Sequence, residues 1–249
     1  MSQLREQLVE DYADRFARVN ASLDIQAITA KGFRMHDRTF GEVLRAAPHP
    51  ARVLDLGCGA GFLLNWLRRQ PDVMPVGVDA SPSQLELARR AFPEIEIHSA
   101  DGLEYLRANP DSFDGIFCTD VLEHISGTAL CIEWVQAARM ALPPGGFFVC
   151  RSPNAANLTA GFCRYIDLTH ERSFTEMSML QLLDAGGLKD ARIVPIRAGN
   201  WTGSVRQWID YHLHRVVFRI CGQSSAREFT YNVCAVGYRD YAPSTQNQS

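Results

Sequence analysis

At 249 residues, with 46% hydrophobic and 21% charged residues, the chain has the make-up of one globular α/β domain with insertions. Its net charge of −3 leaves no global electrostatic footprint for nucleic acid, and no apolar run is long enough to span a bilayer. The seven cysteines form no CxxC pair and read as small buried hydrophobes of a reducing compartment. Met1–Asn20 is polar rather than signal-like, so the cytoplasm is the expected location.

In chain order, Leu4, Leu8, Tyr12, Phe16 and Val19 repeat at helical spacing, and a second helix is expected over much of Ile25–Ala47, ending before Pro48 and Pro50. Residues 1–50 therefore read as a helical cap or lid. Strand and helix signals then alternate: Arg52–Asp55, Phe62–Arg69, Val76–Asp79, Ser83–Ala91, Ile95–Ser99, Phe113–Thr119, Ala129–Leu142 and Gly146–Arg151. That alternation predicts a parallel sheet with helices on both faces. Residues 51–241 form this domain, with insertions near 153–174 and 199–224, and 242–249 read as a disordered polar tail.

The stretch Asp55-Leu56-Gly57-Cys58-Gly59-Ala60-Gly61 reads as a strand end, a tight glycine turn and a helix start. Glycines there permit positive φ and close approach of a bound molecule. About two dozen residues on, Val76-Gly77-Val78-Asp79 ends a second strand in an acid, placed as in nucleotide-binding βαβ units, where it accepts from ribose hydroxyls. Ser81-Pro82-Ser83-Gln84 follows as a capping box with Pro at the first helical position.

These residues resemble the first motif of class I S-adenosylmethionine-dependent methyltransferases. The loop spacing is GxGxG, not the GxGxxG of dinucleotide folds, which speaks against a dehydrogenase. The resemblance implies a Rossmann-like, mostly parallel seven-stranded sheet with an antiparallel last strand. It also implies S-adenosylmethionine as cofactor, with Asp55, Gly57, Cys58, Gly59 and Gly61 at its methionine side and Asp79 with Ala80 at the ribose. Asp101 would hold the adenine amino group, with the Gly102 backbone beside the ring; Asp101 also suits a helix cap. Asp120-Val121-Leu122-Glu123-His124 resembles the DVLEH motif of many small-molecule and glycan methyltransferases, and Asp120 with Val121 would flank the methionine end. Glu123 and His124 read first as structural support, with His124 as an alternative base.

Downstream, Asn154 and the segment Tyr165-Ile166-Asp167-Leu168-Thr169-His170-Glu171-Arg172 supply polar groups for a substrate. His170 could take a hydroxyl proton with Asp167 or Glu171 orienting it, and Arg172 could grip an anion. Asn154, Tyr165 and Arg172 are the expected acceptor contacts; the same charges could instead pair to shape the loop. Together with Phe229-Thr230-Tyr231-Asn232, this segment resembles methyltransferases found with surface-polysaccharide genes. The expected acceptor is accordingly a sugar or glycan-precursor hydroxyl, the alternatives being a quinone, lipid or natural-product hydroxyl or amine, or a non-catalytic cofactor-binding homologue. No metal is expected, because the His and Asp residues show no closed ligand spacing along the chain.

Between Thr202 and Cys221, Val205, Trp208, Ile209, Leu213, Val216, Val217 and Ile220 form an apolar helical face, with Arg206, His214, Arg215 and Arg219 elsewhere. Such a face usually packs on its own domain or on a dimer partner. A basic helix with tryptophan also suits the surface of a membrane. The sequence leaves the oligomeric state open.

Overall fold

The computed structural model describes residues 24–30, 32–223 and 225–240. The stripe expected over residues 1–20 and the tail expected over 242–249 lie outside them. The helix expected over Ile25–Ala47 is two: α1 (Ile25–Ala30) and α2 (Phe33–Arg45). The break falls at Gly32, a residue of low helix propensity.

From Ala51 the order is β1 (Ala51–Leu56), α3 (Phe62–Leu67), β2 (Val73–Asp79), α4 (Pro82–Ala91), β3 (Glu96–Ser99), α5 (Gly102–Ala108) and β4 (Gly115–Thr119). A single 3₁₀ turn at Leu122–His124 leads to α6 (Thr128–Ala141) and β5 (Phe147–Pro153). Next come α7 (Ala160–Tyr165), α8 (Glu176–Ala185), β6 (Lys189–Ile193), α9 (Trp201–Ile220) and β7 (Asn232–Tyr238). The strands form one seven-stranded sheet in the order β3-β2-β1-β4-β5-β7-β6. β7 runs antiparallel to both β5 and β6, and the other pairs are parallel, as expected.

Alternation along the strands builds two apolar layers. Leu54, Leu56, Ile116, Cys118, Phe148 and Cys150 meet α5, α6 and α8 on one face. Val53, Phe117, Phe147 and Val149 meet α2 and α3 on the other. Burial on both faces is why these strands read as continuous apolar runs. On the second face Phe40, Trp66, Phe117 and Phe147 meet edge to face or tilted, with ring centroids 5.2–6.2 Å apart. Each such pair adds about 0.5–1.5 kcal/mol beyond its buried area. The helical segment expected as a cap is thereby bonded into the core, with Trp66 Nε1 donating to Asp37 at 2.7 Å.

Chain order reverses between β1 and β4, which opens a crevice at the carboxyl ends of the strands. Leu56 sits beside Val78 and Cys118, and Thr119 beside Arg151. The residues that follow β1, β2 and β4 therefore emerge along one rim.

β6 ends at Ile193, after a register shift between Lys189 and Arg192 and ahead of Pro195, which has no N–H for a ladder. The insertion expected near 153–174 contains α7. One local expectation is corrected. The apolar face of α9 does not pack on the domain: Trp208 is 64% and Leu213 55% exposed. The opposite face is the attached one. His214 is buried, with Nε2 accepting from Leu158 N–H and Nδ1 facing the Asp210 carbonyl, both at 2.8 Å. Gln207 donates to the Ile196 carbonyl, and the Phe229 ring packs on Tyr211, His214 and Phe218.

Candidate active site

The glycine loop is shaped by what it must avoid. Gly57 has φ +79°, and a Cβ there would lie 2.3 Å from Val121 Cγ2. The N–H groups of Gly57 and Cys58 both donate to the Val78 carbonyl, at 2.8 and 3.0 Å, so the turn is pinned to the end of β2. Gly61 has φ +89° and begins α3, against the Phe92 ring. Cys58 was expected at the cofactor, but its side chain is buried with Leu64 and Leu85. Its thiol lies 2.9 Å from where a Cβ on Gly77 would stand, so only its backbone belongs to the loop.

Asp79 braces this turn. Oδ2 accepts from Gly59 N–H and Oδ1 from Ser81 N–H, both at 2.8 Å. Burial raises its pKa above the ordinary carboxylate value, against the pull of those donors. Ala80 beside it is exposed. Ser81 caps α4 by accepting from Gln84 N–H. The expected reciprocal bond from Gln84 is replaced: its Oε1 is buried without a partner, 3.8 Å from the Cβ position of Gly59.

Asp55 sits at the floor, 1% exposed, with Oδ1 unpartnered. Burial, then the nearby Asp79 charge, push its pKa up to about 8. Asp101 caps α5, its Oδ1 accepting from Leu103 and Glu104 N–H at 2.9 and 3.0 Å. Gly102, expected to bring backbone to the adenine, has no room for a side chain: the Trp134 ring is 2.5 Å from where a Cβ on Gly102 would stand.

At the end of β4, Asp120 takes the left-handed conformation, φ 59°. Its carboxylate pairs with Arg151 and accepts from Asn232 Nδ2 at 3.3 Å. Val121 then covers Gly57. Arg151 and Asn232 were missed by the sequence reading. Arg151 ends the parallel run of β5, a place where ligand contacts gather in such sheets.

Next to this rim the fold assembles a second cluster. Glu123 is buried and accepts from Ser152 Oγ at 2.7 Å. Burial, then Asp120, push its pKa up to about 8. The Thr169 hydroxyl gives its single proton to Asp167 Oδ1 at 2.7 Å, so it presents a lone pair to His124 Nδ1 at 2.8 Å. His170 Nδ1 faces the Cys163 carbonyl at 3.0 Å. Both imidazoles are thus assigned the Nδ1–H tautomer by their partners, which makes Nε2 the basic nitrogen of each. Their centroids lie 4.8 Å apart, edge to face. One ligand atom from each of Glu123, His124 and His170 lies within 4.8 Å of the others, a grouping of cation-ligand type that spacing along the chain did not show.

The remaining expected residues go elsewhere. Asp167 serves Thr169, and through it His124, rather than orienting His170 with its carboxylate. Asn154 is buried and fully engaged: Nδ2 donates to the Glu228 and Thr230 carbonyls, and Oδ1 accepts from Ala156 N–H. It fastens the end of β5 to the segment before β7, and is not a substrate contact. Tyr165 is 79% exposed under the Arg164 guanidinium. Arg172 lines a groove between α6 and α8 with Cys131, Ile132 and Gln181, which contains neither histidine. Tyr231, half-exposed, was not singled out as a site residue. Proximity to Cys163, then burial, raise its phenol above the ordinary tyrosine value.

The donor set fits a cationic sulfonium cofactor. Orphaned oxygens of Asp55 and Gln84 are buried at the glycine loop and that of Asn232 beside Asp120, and carboxylates outnumber Arg151 at the rim. A family model described as a methyltransferase domain matches residues 33–193. The ubiquinone biosynthesis O-methyltransferase of Chelativorans sp. is 36% identical over 115 residues, 44% of each chain. That of Roseobacter denitrificans is 33% identical over 116 residues, 44% of this chain and 45% of the relative. The chain spans less than half the length of these curated relatives. A solved S-adenosylmethionine-dependent methyltransferase from Archaeoglobus fulgidus superposes with TM-score 0.61 at 19% identity, over 86% of this chain and 94% of that one. Phosphoethanolamine N-methyltransferase 2 of Haemonchus contortus, solved with S-adenosyl-L-methionine, gives 0.58 at 18% identity, over 82% and 52%. The chain belongs to the methyltransferase-domain family and has the class I S-adenosylmethionine-dependent methyltransferase fold.

Proposed function

We propose that the protein methylates a hydroxyl oxygen, and that the acceptor is a phenol of the quinone-precursor kind rather than a sugar. The observation that carries this reading is the pair of anchored imidazoles where the turn after β4 meets the segment after α7, each with Nε2 as its basic atom. When bound, S-adenosylmethionine supplies an electrophilic methyl group on a sulfonium. Asp79 with the Gly59 turn would hold its ribose, and Asp55 its cationic methionine end.

With the methyl group presented by the bound cofactor, His124 Nε2 would take the proton of the acceptor hydroxyl. Thr169 and Asp167, in line behind Nδ1, stabilise the resulting imidazolium and keep the ring in place. Positioning carries much of the rate in such an in-line displacement. A phenol loses its proton more readily than an alcohol, so a histidine is matched to it. The O-methyltransferase names of the relatives favour oxygen and a quinone-type ring. The sugar expectation leaned in part on Asn154, whose hydrogen-bonding capacity is spent inside the fold.

The test is methyl transfer from labelled S-adenosylmethionine to a panel of dihydroxylated aromatic rings, sugar nucleotides and lipid-linked saccharides. Transfer to a ring hydroxyl is expected, falling about 100-fold or more in His124→Ala. Transfer to saccharides alone, or to amines alone, would overturn the reading.

A further inference from the structure

We propose that α9 and the adjoining α7 segment form a docking surface for an anionic phospholipid bilayer. Along α9, at roughly 100° per residue, Trp201, Val205, Trp208, Ile209, Leu213, Val216 and Ile220 fall on one arc, and all are exposed. The attached arc, Gln207, Tyr211, His214 and Phe218, is opposite. The apolar side has no cover among the described residues, although twenty residues of helix, about 30 Å long, present it.

A second segment adds to the same kind of surface. Leu158, Phe162, Tyr165, Ile166 and Leu168 are exposed, Leu168 at 81%. This segment is tied to α9 by the Leu158 N–H bond to His214 and by Asn157 Nδ2, which donates to the carbonyl of Phe229 under α9. So large an apolar surface marks an interaction site.

Charge selects the occupant. Arg206 and Arg215 lie at the two edges of the apolar arc and Arg219 within it, all exposed. Arg164 adds a fourth cation on α7. The carboxylates of these two segments are Asp167 and Asp210 alone; the first is buried on Thr169, and the second faces His214. An apolar face with tryptophan, bordered by arginines, is the pattern of a helix lying in the interface of an anionic membrane. No helix among the described residues is long and apolar enough to cross one. The α7 segment runs directly into Asp167, Thr169 and His170, so docking there would set the base cluster beside the lipid. The surface itself does not depend on the acceptor proposed above.

The experiment is co-sedimentation of the full chain with phosphatidylcholine vesicles, with and without phosphatidylglycerol, followed also by tryptophan emission. Binding to the anionic vesicles with a blue shift from Trp201 and Trp208 is expected. The triple variant Arg206→Gln/Arg215→Gln/Arg219→Gln should bind about 100-fold more weakly, three surface cations contributing about fivefold each. The variant Trp208→Ser/Leu213→Ser should lose binding and the blue shift. All these side chains are exposed, so both variants should keep the wild-type melting point and cofactor affinity. Wild-type protein left in the supernatant, or variants that bind as well as wild type, would overturn the proposal. So would a dimer that Leu213→Ser splits without any vesicle binding, since the face would then belong to a second copy.

Discussion

Asp79 couples the cofactor loop to the next strand, and removing its carboxylate should be felt in two separate measurements. Two backbone donors, Gly59 N–H and Ser81 N–H, end on it at 2.8 Å. In Asp79→Ala both are released. The site is half-buried, so water can reach them and the low end of the penalty applies, about 1 kcal/mol each. For a domain of this size about 2 kcal/mol lowers Tm by roughly 4–8 °C. Cofactor binding loses more, because a carboxylate bonded to ribose hydroxyls contributes about 1.5–3 kcal/mol, or roughly 10–150-fold in Kd. Asp79→Asn keeps one acceptor oxygen and should fall between the two. Thermal unfolding followed by circular dichroism and calorimetric titration of S-adenosylhomocysteine separate the effects. A Kd for Asp79→Ala within threefold of wild type would refute the assignment of the ribose to this residue, whatever happens to Tm.

Three further outcomes follow from the geometry. Asp55 and Glu123 both have folded pKa values of about 8, far above the unfolded carboxylate range, so the folded state holds extra protons between about pH 4 and 8. Stability contributed by their neutral forms is therefore lost as pH rises towards 8, each group adding a slope of up to about −1.4 kcal/mol per pH unit. Urea unfolding at pH 6, 7 and 8 should show Glu123→Gln with a shallower decline than wild type by about that amount; parallel declines would contradict a protonated Glu123. Gly57→Ala combines positive-φ strain with overlap on Val121, about 2–4 kcal/mol together. Adding Val121→Ala should restore part of that loss in denaturant titrations, and no restoration would place the cost elsewhere. Thr169→Val should lower kcat about 10–100-fold and shift its pH profile while cofactor affinity stays unchanged; Thr169→Ser should recover most of the rate. An unchanged profile would mean that Thr169 only shapes the loop.

What the sequence made legible was local. The glycine turn and the cap on α5 are each set within a few residues, and the acid ending β2 lies 20 residues from its donor Gly59, one strand–helix–strand unit away, so spacing alone reveals them. The acid–base cluster was visible as residue types but not as partners, because Thr169 meets His124 across 45 residues of chain. Asn154 could not be recognised as a fastener, since its acceptors are carbonyls 74 and 76 residues away. The α9 pattern displayed two faces without telling which one meets the domain. The attached face is polar and aromatic, and it holds because His214 satisfies both of its ring nitrogens on backbone groups. Apolar content pointed the other way.

The burial of the cysteines has a consequence for reactivity. Six of the seven thiols are buried, and burial raises the pKa of Cys58, Cys118, Cys131, Cys150 and Cys234, so these are both shielded and un-ionised. Cys221 alone is exposed, at the C-terminal end of α9. A thiol-directed alkylating dye should therefore mark the native chain at one position without any prior cysteine removal. The label would stand at the tip of the outward helix, well placed to report its surroundings, and would leave the glycine turn and the histidine pair unmodified.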